Sequence, residues 1–164
     1  MKNKVRFPLL LFPLACLAGL FALLGTADAN AKVEGKQSQV FSPAIIEIGG
    51  TLVQLEGLRA PGNDQSCTES QTAWSCGRDA RWATLNRVGN HWITCLDRGR
   101  TASGTFLGLC YLGGVGGPEL NAWLVEQGWA LTNAAGAERY LEEETKARAE
   151  RRGLWRNDIE PVWE

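Results

Sequence analysis

The sequence has few of the side chains on which nucleophilic or zinc chemistry depends. Its single histidine, His91, stands beside Trp92, and neither a free cysteine nucleophile nor a serine elbow accompanies it. We therefore interpret His91 as a surface or strand-end residue rather than a general base. No two cysteines have the Cys-x-x-Cys spacing that is common in zinc sites, so the cysteines are not expected to hold zinc.

Internal repeats, low-complexity tracts and an excess of positive charge are also missing. With 45% apolar and 21% charged residues, a chain of 164 residues suits one globular domain with its own core. Of the 17 basic and 18 acidic residues, three and one lie in the first 31 positions, which leaves 14 basic and 17 acidic residues beyond them. Such an acidic domain is not expected to bind nucleic acid strongly. The composition does not specify its ligand or protein partner.

Residues 1–31 are predicted to be a secretory signal. The segment starts with three basic residues, Lys2, Lys4 and Arg6. An apolar run over residues 8–25 follows, and the small residues of 27–31 offer cleavage after Ala29 or Ala31. The alternative is an uncleaved membrane anchor formed by residues 8–25, although Pro13 weakens a spanning helix there. We expect a secreted or periplasmic protein, with membrane contact only if the segment stays uncleaved.

Four cysteines follow the predicted signal: Cys67, Cys76, Cys95 and Cys110. An even number after such a signal is typical of two disulfides in an oxidising compartment, with three ways of pairing them. We favour Cys67 with Cys76 and Cys95 with Cys110, the second because both cysteines lie in consecutive strand-like runs. Each bridge would close a short loop and contribute roughly 2 to 3 kcal/mol.

Two apolar runs around Gly49-Gly50 predict a β-hairpin, since two glycines favour a tight turn. A two-residue turn fixes three cross-strand pairs: Ile48 with Thr51, Ile46 with Val53, and Ala44 with Leu55. One face of the hairpin is then mostly apolar, and the other carries Glu47, Gln54 and Glu56. Pro61 ends the second strand because it cannot donate to a ladder.

The other elements follow from periodicity and breakers. We predict a loose polar lead-in over residues 32–40 and a domain over 41–164. Within the domain, a helix is expected over 69–88, followed by strands over 91–96 and 105–112 that a polar loop at 97–103 separates. A helix from Pro118 to Gly128, an extended piece at 129–131 and a last helix over 138–152 complete the prediction. This order is typical of an α+β domain, in which a five-stranded OB-type barrel would close the sheet edges.

Several segments resemble the staphylococcal-nuclease-like, or thermonuclease, family. The stretch EIGGTLVQLEGLRAPGNDQSC, from Glu47 to Cys67, is similar to a family segment that reads roughly Ile-Arg-Leu-x-Gly-Ile-Asp-Ala-Pro-Glu. Scaffold motifs similar to those of the secreted bacterial branch are WSCG at Trp74, ITC at Ile93, CYLGG at Cys110, ELNAWLVEQGWAL at Glu119 and RRGLW at Arg151. The resemblance implies an OB-fold barrel of five strands with about three packed helices.

The family's chemistry is Ca²⁺-assisted phosphodiester hydrolysis. It needs carboxylates for the cation, a Glu for the attacking water and two arginines for the phosphate. The matching positions of this sequence carry Ala44 and Arg59 for the two metal-binding Asp residues, Gln54 and Thr105 for the two arginines, and Gly62 for the Glu. Ser42, two residues before Ala44, supplies no carboxylate either.

The resemblance therefore predicts a family member with a degenerate site. Losing one such group typically costs on the order of 10²- to 10³-fold in rate. We expect no catalytic residue, no bound metal or other cofactor, and a role as a binding or structural module. The alternative is an active metal-dependent nuclease on DNA or RNA that uses relocated residues, for which the candidates are Asp64, Asp97, Arg98 and Arg100.

Three further features have a structural and a functional interpretation. The Gly113–Gly117 run precedes a predicted helix but has no Lys, Ser or Thr partner, so we interpret it as a connection rather than a phosphate cradle. Three arginines of the first predicted helix form a solvated face or, alternatively, an anion-binding patch: Arg78, Arg81 and Arg87. Of the seven tryptophans, Trp123 and Trp155 suit a core, and a recognition surface is the alternative for Trp74, Trp82, Trp92 and Trp163.

Overall fold

Five β-strands close into a barrel, and three α-helices accompany it. A computed structural model describes residues 31–69 and 71–156. The elements in chain order are β1 Lys32–Ser42, β2 Ile45–Ile48, β3 Thr51–Leu55, β4 Leu58–Arg59, β5 Cys67–Glu69, β6 Thr72–Trp74, α1 Cys76–Val88, β7 Trp92–Arg100, β8 Phe106–Leu112, α2 Leu120–Glu126, β9 Leu131–Thr132, α3 Leu141–Ala149 and a 3₁₀ turn Gly153–Trp155.

The barrel has the strand order β1-β2-β3-β8-β7. Its neighbours are antiparallel except β3 and β8, which run parallel. This architecture confirms the predicted α+β class with a five-stranded OB-type barrel. Within the two described ranges, no helix combines the length and apolar character that crossing a membrane requires. The predicted signal and the alternative anchor at residues 8–25 lie outside those ranges, as does Trp163.

The hairpin at Gly49-Gly50 forms with the predicted register. Ile48 pairs with Thr51 and Ile46 with Val53, and the Leu55 amide donates to the Ala44 carbonyl at 2.8 Å. The two glycines have φ angles of 54° and 80°, the left-handed conformation that a two-residue turn requires. The apolar face of the hairpin is fully buried in the barrel, as predicted.

The prediction of a loose lead-in over residues 32–40 is wrong, because this segment is most of strand β1. It pairs with β7 over residues 32–36 and with β2 from Gln37 onward, and so closes the barrel. Among residues 32–37, 39 and 40, only Gly35 and Val40 are buried, so the inward face carries little apolar area. The strand is held mainly by its backbone ladders to two neighbours, which a local pattern does not reveal. The barrel therefore begins at residue 32 rather than 41.

Two other boundaries differ from the predictions. Helix α1 begins at Cys76, not at residue 69, because residues 67–69 and 72–74 pair as the hairpin β5-β6. Strand β7 continues to Arg100, through half of the predicted loop at 97–103, with an irregular register between Asp97 and Arg100. Both segments consist mainly of polar residues that are exposed or half-buried, so their sequences lack the apolar alternation that predicts a strand.

Both favoured disulfides form. Cys67 pairs with Cys76 and joins the β5-β6 hairpin to the start of α1, while Cys95 pairs with Cys110 across the neighbouring strands β7 and β8. Two disulfides in a domain of this size are typical of an oxidising, extracytoplasmic environment.

Helix α2 closes the barrel core, and a second cluster lies beside it. Leu120, Leu124 and Val125 of α2 are fully buried with the barrel residues, and Trp123 packs against the same cluster. The second cluster contains Trp155 and joins α1, β9, α3 and the 3₁₀ turn. Trp123 and Trp155 thus have the core roles predicted for them.

Candidate functional site

Three of the five positions matched to the family's site lie at one end of the barrel. Ala44 directly precedes β2, and Gln54 near the end of β3 pairs with the first residue of β2. Gln54 also pairs with Leu107 of β8, and Thr105 directly precedes that strand. Ala44 is buried, whereas the side chains of Gln54 and Thr105 are half-buried.

Arg59, which the resemblance matches to a metal-binding Asp, has an anchored side chain. It lies on β4, which pairs with β9, and its Nε donates to the Thr132 carbonyl at 3.4 Å. The residue is half-buried, and its guanidinium is positively charged. A fixed positive charge therefore lies where the resemblance implies a carboxylate.

Gly62, at the position of the catalytic Glu, lies in the loop that covers the start of helix α1. Its carbonyl accepts from the Gln65 amide at 3.0 Å, and the Gln65 carbonyl accepts from the Gly77 amide at 3.1 Å. A Cβ on Gly77 would lie 1.7 Å from the Gly62 carbonyl oxygen, whereas a Cβ on Gly62 itself meets no atom within 4 Å. The loop and the helix are thus in direct backbone contact, and only the helix side of the contact demands glycine.

The side chains at the five positions do not form a donor set for calcium. They offer a methyl group, an amide, a guanidinium, a hydrogen atom and a hydroxyl, and none is a carboxylate, the oxygen ligand that calcium sites depend on. Across residues 31–69 and 71–156, no group of three or more His, Cys, Asp or Glu side chains is arranged to hold a metal ion.

Asp97, one of the candidate relocated acids, is engaged by its own turn. Arg100 Nη1 donates to both Asp97 carboxylate oxygens at 2.8 Å, and the Gly99 amide donates to one of them at 2.8 Å. The hydrogen bond from Arg100 and then that from Gly99 lower the pKa of the Asp97 carboxyl below its usual range. The Arg100 guanidinium also stacks 4.6 Å from the Phe106 ring centre. Arg98 of the same strand is exposed.

Asp64, the other candidate acid, lies in a cleft of about 380 Å³ that sequence reasoning did not anticipate. Five residues from two segments line it: Asn63, Asp64, Ser75, Arg78 and Arg81. Asn63 and Asp64 directly follow Gly62 in the loop before β5, and the other three belong to the N-cap and the first two turns of α1. Arg78 and Arg81, predicted as a solvated face or an anion-binding patch, thus face a cavity together with an acid. Arg87 is directed elsewhere and stacks 5.0 Å from the Trp123 ring centre.

The walls of the cleft are held by contacts to the barrel. Arg81 Nε donates to the Val40 carbonyl at 2.7 Å, and Asn63 Nδ2 donates to the Phe41 carbonyl. Thr84, one turn further along α1, donates to the Pro43 carbonyl at 3.1 Å. Helix α1 and the loop before it are therefore both fixed to the end of β1 and the turn that follows.

The remaining candidates take the structural roles expected of them. His91 is exposed in the turn before β7, and its amide donates to the Val88 carbonyl at 2.9 Å. The Gly113–Gly117 run forms the turn between β8 and α2, closed by a 2.9 Å bond from the Gly117 amide to the Gly114 carbonyl. Among the tryptophans, Trp82 and Trp92 are about half exposed, while Trp74 lies under the Arg156 guanidinium at 4.1 Å.

Comparison with known proteins gives two matches. A model of the staphylococcal nuclease homologue family matches residues 52–157. The succinoglycan biosynthesis protein ExoI of Rhizobium meliloti (strain 1021) is 34% identical over 146 residues, which cover 85% of this chain and 74% of that protein.

Proposed function

Because this chain belongs to the staphylococcal nuclease homologue family, we propose that it is a secreted or periplasmic member that keeps the barrel, has lost Ca²⁺-dependent phosphodiester hydrolysis and acts as a binding module. The observation that carries the proposal is the anchored guanidinium of Arg59. A half-buried positive charge repels a divalent cation, and in a water-poor environment that repulsion is stronger than in bulk solvent. The five family-matched positions therefore offer a calcium ion no carboxylate, and one of them carries a positive charge.

The other four substitutions act in the same direction. Gln54 and Thr105 are neutral and make no charged bidentate clamp on a phosphate, and Gly62 has no group to activate water. Losses within one catalytic site are not additive, so the rate need not fall by the product of the single effects. The metal ligands, the phosphate-binding arginines and the general base are all replaced, so restoring any one of them would not restore hydrolysis.

The compartment is part of the proposal. Two disulfides within the described domain support an oxidising environment. We propose that residues 1–31 direct export and are then removed. The mass of the protein purified from its native host tests this proposal. We expect a mature chain that starts at Asn30 or Lys32. An intact N-terminus would show that the segment is not removed and would favour the membrane-anchored alternative.

The relative's name suggests the kind of process in which the module acts. ExoI is named as a succinoglycan biosynthesis protein, and this chain aligns with 74% of it. We propose that the present chain also serves polysaccharide synthesis or export, by binding and not by cleaving. The family-matched positions carry neutral side chains and the positive Arg59, a charge balance that suits a carboxylate, sugar or peptide group better than a metal ion.

One observation favours a second candidate function, an active nuclease with relocated acids. Asp64 shares a cleft with Arg78 and Arg81, and an acid beside two arginines has the charges that phosphodiester hydrolysis uses. A single carboxylate gives a metal ion a weak site, however, and Asp97 is engaged by Arg100. We therefore prefer the binding module.

A cleavage assay separates the two functions. The purified chain is incubated with single-stranded DNA and with RNA in the presence of Ca²⁺, Mg²⁺ or Mn²⁺, beside an active nuclease as positive control. We expect no metal-dependent cleavage. Cleavage that requires metal and is abolished by Asp64→Ala or Asp97→Ala would replace the binding module with the nuclease.

A further inference from the structure

We infer that the cleft lined by Asn63, Asp64, Ser75, Arg78 and Arg81 binds an acidic sugar, a polyhydroxylated ring that carries a carboxylate. The inference takes from the proposed function only that the chain is a binding module. It concerns a cleft separate from the five family-matched positions, and it names the chemistry of the ligand.

The two arginines supply the anion site. Arg81 uses its Nε on the Val40 carbonyl at 2.7 Å, and this bond orients the guanidinium while leaving its two terminal nitrogens for a ligand. Arg78 makes a 3.6 Å ion pair with Asp79, its neighbour in sequence, and both side chains are largely exposed. Such an exposed pair is weak and yields readily to a better partner. Paired guanidinium forks match the two oxygens of a carboxylate.

Asp64 and Ser75 determine what else the ligand must offer. Within residues 31–69 and 71–156, the Asp64 carboxylate makes no hydrogen bond or ion pair, so it is available to accept from a ligand donor. Ser75 stands at the N-cap of α1, but its hydroxyl makes no capping bond and can also face a ligand. A ligand with hydroxyl donors and one carboxylate satisfies all four groups, and a sugar acid has this combination.

Asp64 also disfavours more highly charged ligands. A phosphate monoester carries about −1.5 to −2 charges at neutral pH, against one for a carboxylate, so its repulsion from Asp64 is larger. A nucleic acid adds further charges along its backbone, and the domain is acidic overall. The cleft therefore suits a monoanionic sugar better than a sugar phosphate or a nucleic acid strand.

Two exposed aromatic residues lie near lining residues of the cleft. Trp82 lies one turn after Arg78 on α1, so the two side chains share a face of the helix, and 51% of Trp82 is exposed. Phe41 is 41% exposed, and its backbone lies beside the cleft because its carbonyl accepts the bond from Asn63. A sugar ring has an apolar face of C–H groups that can lie against an aromatic ring such as Trp82 while its hydroxyls reach the polar side chains.

The cleft is also preorganised. The Cys67–Cys76 disulfide fixes the β5-β6 hairpin to the start of α1, and Gly77 of the helix lies directly against Gly62 of the loop. Both walls are thus set before a ligand arrives, which lowers the ordering cost of binding.

Isothermal titration of the purified chain with galacturonate, a sugar that carries a single carboxylate, tests the inference. The comparison ligands are its methyl ester, which keeps the ring and removes the charge, galactose 1-phosphate and a short single-stranded DNA. The variant Arg78→Gln removes a guanidinium at the mouth of the cleft, and Arg98→Gln removes an exposed arginine of β7 as the matched control. Thermal unfolding confirms that each variant is folded.

We expect saturable binding of galacturonate and little binding of its methyl ester. Arg78→Gln should weaken binding by about 10- to 100-fold, since a charged hydrogen bond contributes roughly 1.5 to 3 kcal/mol, and Arg98→Gln should leave it unchanged. Asp64→Asn should raise the affinity for galactose 1-phosphate more than that for galacturonate. Absent binding, equal losses in the two arginine variants, or tighter binding of the phosphate or the DNA by the native chain would each overturn the inference. DNA cleavage would instead overturn the proposed loss of hydrolysis, so the two failures are distinguishable.

Discussion

Arg59 Nε donates a hydrogen bond to the carbonyl oxygen of Thr132 at 3.4 Å, and this bond joins the short strands β4 and β9. The contact gives the arginine a structural role at the position that the resemblance matches to a metal-binding Asp.

Gly77 and Gly62 are in contact, and only Gly62 has space for a side chain. Gly77→Ala places a Cβ 1.7 Å from the Gly62 carbonyl oxygen, so the loop must move away from α1. We expect a loss of about 1 to 3 kcal/mol in the free energy of unfolding, together with weaker binding in the cleft. Gly62→Ala is the matched control: its Cβ has open space, and stability should be unchanged or slightly higher. Equal effects of the two variants in chemical denaturation would refute this packing.

Asn121 is the buried polar link between α2 and the barrel. Its Oδ1 accepts from the Cys110 amide at 3.1 Å, and its Nδ2 donates to the Glu56 and Gly108 carbonyls at 3.0 and 3.1 Å. Asn121→Ala removes the bonds to the Cys110 amide and the Glu56 carbonyl, while the Gly108 carbonyl keeps its bond from the Glu56 amide at 2.9 Å. We expect about 3 kcal/mol of destabilisation in urea titrations. The exposed Asn86→Ala should cost less than about 0.5 kcal/mol. Comparable midpoints for the two variants would contradict the role of Asn121.

The two disulfides should have different consequences. They close loops of sequence separation 9 and 15, and by the chain-entropy estimate each contributes about 3 kcal/mol. Removing Cys67–Cys76 by double substitution to Ser should loosen the β5-β6 hairpin and reduce ligand binding in the cleft. Removing Cys95–Cys110 should lower the melting temperature while the remaining folded protein keeps its binding affinity. If removal of Cys95–Cys110 weakened ligand binding and removal of Cys67–Cys76 did not, the β5-β6 hairpin would not shape the cleft.

The ion pair of Asp97 with Arg100 predicts an acid-dependent contribution to stability. The pKa of Asp97 is lower in the folded chain than in the unfolded chain, because Arg100 and the Gly99 amide stabilise the carboxylate. This contribution is fully present above the unfolded pKa, about 3.9, and is lost as the pH falls through the lower folded pKa. The stability difference between the native chain and Asp97→Asn should therefore shrink below about pH 4. A difference that stays constant, or an Asp97 titration at or above the ordinary value by NMR, would refute the pairing.

Local chemistry explains which parts of the fold the sequence predicted. Gly49-Gly50 between two apolar runs fixes a hairpin and its register within a few residues, and the structure has that register. Strand β1 was missed because its polar residues form a strand through backbone pairing with β2, which follows it directly, and with β7, which is distant in sequence. The start of α1 was missed because the Cys67–Cys76 bridge supports a hairpin that exposed polar residues do not signal.

The cleft, like strand β1, could not be predicted from the sequence. Asp64 and Arg81 are separated by the whole β5-β6 hairpin, and neither residue alone distinguishes a cavity wall from a solvated surface. The charged residues were identified from the sequence, but only the fold brings them to one cavity. The family-matched positions were available from the sequence because they lie in a continuous, well-matched frame. The anchoring of Arg59 on Thr132 needed the pairing of β4 with β9.

A calcium titration followed by ¹H–¹⁵N correlation NMR tests the central claim most directly, because it reports both binding and its location. With the native chain, we predict no saturable shifts for the amides of Gln54, Arg59 and Thr105 as calcium is raised through the millimolar range. Saturable shifts of these three amides would show that a divalent cation is held beside them and would contradict the loss of the metal site.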